Sequence, residues 1–160
     1  MKKEISIEDE NFTTFVKDIK TKILSSQYEA LKAVNKELIN LYWEIGKNIV
    51  EKQELFGWGK SVVQNLSHEL QKEFVGMKGF SVQNLWNMRY FYLEYHENEK
   101  LQTLSREIGW SHNIAIFQKT KDELEREFYI KMVIKFGWTY RVLDNHIDNK
   151  SYEKYLLNQT

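Results

Sequence analysis

The chain has no cysteine, which rules out disulfides and thiolate metal sites and fits a reducing cytoplasm, where the protein is expected. It has no proline, and its strongest apolar patterns step by three and four residues instead of alternating, so an all-α fold is predicted. No apolar run approaches the ~20 residues that cross a bilayer, and Met1-Lys2-Lys3-Glu4 leads into no signal-peptide core. A membrane role is therefore not expected. Net charge is missing too, because 23 Lys and Arg stand against 23 Asp and Glu. No global basicity advertises nucleic acid, and any such binding has to come from a local patch.

What the chain does have is apolar mass. Hydrophobic residues make up 42% of the 160 positions and aromatics 14%, enough for one packed domain and a helical extension. Phe12, Phe15, Val16, Ile19 and Ile23 mark a first amphipathic helix in an extension over residues 1–27, with Ser25-Ser26 as a place for a slight interruption or a new cap. The domain proper is assigned to residues 28–157. It opens on a stripe of Leu31, Val34, Leu38, Leu41, Ile45 and Ile49 that runs for nearly three heptads. Leu31, Leu38, Leu41, Ile45 and Ile49 are the candidates for a homodimer seam. Ile39, Tyr42 and Trp43 widen the stripe beyond a coiled-coil seam, which favours packing of this long N-terminal helix on its own domain.

A Gly–aromatic–small motif occurs four times, as Gly57-Trp58-Gly59, Gly79-Phe80-Ser81, Gly109-Trp110-Ser111 and Gly137-Trp138-Thr139. Each predicts a helix junction. The Gly takes the left-handed conformation that ends one helix, the small residue caps the next, and the aromatic staples an apolar residue one turn on, namely Val63, Leu85, Ala115 or Leu143. Intervals of 22, 30 and 28 residues are too unequal for a solenoid. Helices are predicted over Lys60–Phe74, Gly79–Tyr95, Leu101–Glu107, Asn113–Met132 and from Tyr140 through Ile147, with a tail from Asn149 that has no clear ending.

Lys60 to Tyr95 has the outline of a helix-turn-helix with a slightly long turn at Val75–Gly79. In its second helix, Leu85, Met88, Tyr92 and Tyr95 form an apolar face, while Gln83, Asn84 and Asn87 gather on the other side near the N-terminus. A planar amide that both donates and accepts matches an adenine edge in the major groove, so these three are the candidate base readers. Lys60, Lys72, Lys78 and Arg89 are the candidate phosphate contacts, and against Glu69 and Glu73 they leave a local excess of two positive charges between residues 57 and 92. An αα-hairpin without any DNA role would give the same outline. The later junction at Gly109 leads into the acidic run Thr120–Glu127, which would repel phosphate. Arg126 within that run reads as a structural ion-pair centre.

No catalytic set emerges. A PDDEXK nuclease holds Mg²⁺ on carboxylates beside a Glu-x-Lys, and this chain contains no Glu-x-Lys. Asp18-Ile19-Lys20 and Asp148-Asn149-Lys150 match a looser Asp-x-Lys, but neither sits on a strand. His68, His96, His112 and His146 lack helical ligand spacing, and the neighbours Ser111 and His112 point apart on a helix. Neither a metal, a cofactor nor an enzymatic activity is expected of this chain.

The run LINLYWEIGKNIVEKQELFGWGKSVVQNLSHELQKEFVGMKGFSVQNLWNMRYFYLEY, followed by GWSHN, KDELEREFYI and GWTYRVLDNHI, resembles the N-terminal domain of the YhcG family. The resemblance covers roughly residues 30 to 157. Val75 and Gly109 stand where that family commonly has Pro, a departure that bears on turn rigidity. The resemblance implies a helical, winged-helix-like DNA-binding domain that targets a PDDEXK nuclease domain, the latter absent from this chain. Double-stranded DNA is the implied partner. A nuclease or restriction-modification subunit is the alternative one.

Overall fold

A computed structural model describes residues 9–159; the first eight residues of the expected extension, and Thr160, lie outside them. Eight helices and no strand form among the described residues: α1 (Glu10–Phe56), α2 (Ser61–Glu73), α3 (Val82–Tyr95), α4 (Glu99–Ser105), α5 (Trp110–Lys119), α6 (Glu123–Phe136), α7 (Tyr140–Asp148) and α8 (Ser151–Leu157). The fold is all-α, and among these residues no β-wing accompanies the helices. None of the helices is long and apolar enough to cross a membrane.

Two compact units divide between Val34 and Asn35. The first is helical from Glu10, with Asp9 accepting a 2.8 Å hydrogen bond from the Asn11 backbone N–H at its start. No interruption occurs at Ser25-Ser26, because α1 contains neither Pro nor Gly before Gly46 and its serines sit inside an unbroken 47-residue helix. Phe15, Ile23, Leu24, Tyr28 and Leu31 in this unit are exposed.

The second unit is organised around α3. Phe91 and Tyr95 enter one apolar cluster with Trp43, Leu101, Ile116, Phe117, Tyr129 and Leu143. Leu85 and Met88 enter another with Tyr42, Ile49, Val63 and Phe80. A helix that feeds two clusters is buried on more than one side, and among its residues only Val82 and Gln83 are exposed. Phe91 anchors the aromatic centre, with ring centroids 5.2 Å from Trp43, 5.3 Å from Tyr95, 5.5 Å from Trp110 and 6.0 Å from Phe117. The first three pairs are edge-to-face and the last is stacked, and such aromatic pairs add about 0.5–1.5 kcal/mol each to simple burial. Gly46 explains how closely α1 can approach: a Cβ there would stand 2.1 Å from the carbonyl oxygen of Met88.

The four junctions are real, but they are built in more than one way. α1 and α6 both end in Phe-Gly-Trp. Gly57 and Gly137 adopt φ of 66° and 64°, and the flanking rings stack at 4.8 Å for Phe56 and Trp58 and 6.2 Å for Phe136 and Trp138. The Trp58 N–H reaches back to the Gln53 carbonyl, and the Gly137 N–H to that of Val133, which satisfies carbonyls left over at the helix ends. Ser81 and Thr139 cap α3 and α7 as predicted, accepting from the backbone N–H of Asn84 and Val142. Gly59 does not cap α2, whose N-cap is Lys60. At Gly109 the expectation fails, since its φ of −70° is ordinary and Gly109 is itself the N-cap, with Trp110 already helical.

Two further boundaries differ from the sequence reading. The helix expected over Asn113–Met132 breaks at Thr120–Asp122, where Asp122 accepts from the Glu125 N–H and starts α6 afresh. The tail forms α8, whose Tyr152 N–H donates to the Tyr129 hydroxyl at 3.2 Å while its ring lies 5.3 Å from Phe128. Arg126 is only 2% exposed. It is paired at 2.8 Å with Glu94 on α3, not with the carboxylates of its own run, and it donates to the carbonyls of Phe117 and Thr120 at the end of α5. A buried guanidinium requires this degree of satisfaction.

Candidate nucleic-acid interface

α2 and α3 pack together, joined by residues 74–81, a connector longer than the three or four residues of a compact helix-turn-helix. The connector is fastened by Ser67, whose hydroxyl donates to the Phe80 carbonyl at 2.6 Å, and by Gln71, which reaches the same oxygen at 3.1 Å. Phe80 is thereby held in the core, and the N-terminus of α3 is fixed relative to α2.

The three amides at that N-terminus face different surroundings. Gln83 is exposed. Asn84 is half-buried and engaged at both ends: its Nδ2 donates to the Gly79 carbonyl at 2.7 Å and its Oδ1 accepts from Trp110 Nε1 at 2.7 Å. Burial pushes the Tyr42 phenol above its ordinary pKa, and a hydrogen bond with Asn84 offsets part of that rise. Gly79 has no Cβ to crowd the Tyr42 hydroxyl, which would lie 2.4 Å from one. Asn87 is 8% exposed, and its Oδ1 accepts from Gln118 Nε2 at 2.8 Å. For Asn84 to read a base it would first have to release two internal hydrogen bonds; Gln83 faces no such cost.

The candidate cations also separate. Lys60 lines a shallow concavity with Ser61, Gln64, Val82 and Trp86. Arg89 lines a second with Gln83, Trp86, Asn87, Tyr90 and Gln118, while its Nε donates to Gln53 at 2.7 Å and its guanidinium lies over the Trp86 ring at 5.5 Å. Trp86 belongs to both, so the two concavities adjoin. Their lining contains no carboxylate. Lys72 and Lys78 are exposed but line neither concavity. Gln64, Trp86, Tyr90 and Gln118 were not singled out as contacts from the sequence. Trp86 could have been, since it stands one helical turn from both Gln83 and Arg89, whereas Gln118 arrives from α5 and carries no local signal.

Of the five seam candidates, Leu31, Leu38 and Leu41 are exposed, Ile45 is half-buried, and Ile49 is 6% exposed within the core cluster of Val63 and Phe80. Among the described residues no group of three or more His, Asp or Glu is placed to hold a metal ion.

These features describe an all-helical domain with a carboxylate-free polar and aromatic surface beside its central helix. The chain matches the DUF1016 N-terminal domain over residues 18–154 and belongs to that family. It is also similar to the Escherichia coli (strain K12) protein named "Putative nuclease YhcG", at 28% identity over 165 residues, a match that takes in 83% of this chain. That is 44% of the relative, so the chain spans less than half of its length. No solved structure matches this chain.

Proposed function

We propose that this chain is a DNA-engaging module that targets a PDDEXK-type nuclease activity. The observation that carries the reading is the pair of adjoining concavities around Trp86, where Lys60 and Arg89 flank exposed Gln83 and the aromatic rings of Trp86 and Tyr90, with no carboxylate in the lining. Cations without competing carboxylates attract phosphate even on a neutral protein. Gln83 is the amide free to meet a base edge, and Lys60 and Arg89 are the phosphate contacts; Lys72 and Lys78 contribute at longer range. In this reading Asn84 and Asn87 hold the surface in shape without touching DNA.

Fluorescence anisotropy of a labelled random duplex, titrated at two salt concentrations, tests the reading. Binding at low salt that weakens with salt supports it, and Lys60→Gln and Arg89→Gln should each reduce the salt slope by about 1. A folded protein with no detectable binding at low salt overturns it. A second reading, docking onto a nuclease or restriction-modification subunit, draws on the exposed apolar residues of α1 instead. Capture of such a subunit without any DNA affinity would favour it.

A further inference from the structure

The surface around Trp86 is recessed. α3 exposes only Val82 and Gln83, and both α2 and α5 pack against it, so it has no continuous free face to lay in a major groove as a recognition helix does. It offers instead two adjoining concavities of about 570 and 310 Å³, within the ~300–1,000 Å³ range of pockets that take in a small molecule. Trp86 stands between them and Tyr90 lines the second, both half-buried. A recessed ring cannot wedge into a stacked duplex, where only base edges face the grooves.

Resting on the DNA-engaging reading of this surface, we propose that its substrate is a single strand whose unpaired bases lie on Trp86 and Tyr90. The two rings stand four residues apart on α3, about 6 Å along its axis, whereas stacked bases step by ~3.4 Å. Successive bases that lie on both rings must therefore part from each other, which a free strand does readily and a duplex resists. Arg89 lies over the Trp86 ring and lines only the second concavity, so the base on Trp86 is assigned to the first.

The polar groups fit the same occupant. Exposed Gln64, Gln83 and Gln118 line the concavities, and an amide can pair with the Watson–Crick edge of a base only where no complementary base occupies it. Lys60 is exposed at the first concavity, and at the second the Arg89 guanidinium is held in place by Gln53 and the Trp86 ring. A strand threaded past Trp86 thus passes two positive charges, and the lining opposes it with no carboxylate. Cations along a track of stacking rings are what binds single strands with little regard to sequence.

The test compares one pyrimidine-rich strand of about 16 nucleotides, alone and annealed to its complement, by anisotropy on the whole chain at one low salt concentration. The free strand should bind about tenfold tighter than the duplex. Trp86→Leu keeps an apolar side chain for packing but removes the π face, and should lose about tenfold for the free strand and no more than about twofold for the duplex, while Trp86→Phe keeps most of the affinity. A second readout does not depend on the Leu variant folding: tryptophan emission should fall when the free strand binds the unmodified chain, and the fall should shrink in Trp86→Phe. Duplex bound as tightly as the free strand, a folded Trp86→Leu protein with unchanged free-strand affinity, or equal quenching in Trp86→Phe each overturns the single-strand assignment and leaves the DNA-engaging reading standing. No binding of either form at low salt overturns both.

Discussion

Asn84→Ala separates a base reader from a structural amide. The substitution strands the indole N–H of Trp110 and the carbonyl of Gly79, both of which Asn84 satisfies at 2.7 Å, and it removes the side chain beside the Tyr42 hydroxyl. A buried group left unsatisfied costs about 1–3 kcal/mol; because Asn84 is only half-buried and water can reach the site, the low end applies to each, or about 2–3 kcal/mol together. For a domain of this size that is a fall in Tm of roughly 5–15 °C. Circular dichroism melts measure it, with Gln83→Ala as the control expected within ~0.5 kcal/mol of the unmodified chain because its side chain is exposed. Anisotropy on the same proteins below their melting points should show DNA affinity reduced by Gln83→Ala and kept by Asn84→Ala. An Asn84→Ala protein that melts normally and loses DNA would refute the reasoning, since the amide would then have been available to the base all along.

Gly46→Ala gains about 1 kcal/mol of helix propensity but drives a Cβ to 2.1 Å from the Met88 carbonyl oxygen, a backbone atom that cannot rotate aside. A net loss of about 2 kcal/mol or more is expected in urea unfolding, against near zero for Gly59→Ala, where nothing lies within 4 Å. Tyr95→Phe removes a buried hydroxyl that has no hydrogen-bond partner, and it should be neutral or stabilise by up to about 1 kcal/mol; a loss above that would reveal a partner for the hydroxyl. Hydrogen bonds from Lys100 and then Lys131 hold the Glu127 carboxyl below its ordinary pKa. The stability it contributes is therefore present above the ordinary carboxylate range and lost as pH falls through the lowered value. Melts of Glu127→Gln should lie below the unmodified chain at pH 7 and converge with it near pH 3; a gap that persists there would mean that ionisation is not its source.

The legible parts of the fold are those decided locally. Ser81 and Thr139 are followed three residues later by the N–H groups they cap, and Gly137 ends α6 in the left-handed conformation its position suggested. At Gly109 the same local pattern has a different outcome, because Trp110 is drawn inward to Asn84 and the ring of Phe91 and so joins the helix. The break at Asp122 was hidden by apolar residues whose helical spacing continued across it. The surroundings of the amide cluster were hidden for a similar reason. A helical wheel puts Gln83, Asn84 and Asn87 opposite the apolar face, but α3 is packed on more than one side, and the polar side of a central helix meets Trp110 and Gln118 instead of solvent. Those partners lie 26 and 31 residues away in the chain, beyond the reach of any periodicity argument.

In the proposed reading only one of the three candidate amides is free to meet a base, and that constrains how this surface can select DNA. One free amide offers about 1–3 kcal/mol of discrimination for a good bidentate contact. Specific and non-specific binding typically differ by ~4–10 kcal/mol, so a single copy falls well short of a sequence-specific reader. Two copies held on one duplex double the discrimination and the number of phosphate contacts together, which is how dimeric helix-turn-helix proteins use paired half-sites. For a single copy, affinities measured by anisotropy for duplexes of different sequence at one salt concentration should therefore spread by no more than about 1–3 kcal/mol. A wider spread would place the specificity elsewhere, in DNA shape or in surfaces other than the one around Trp86.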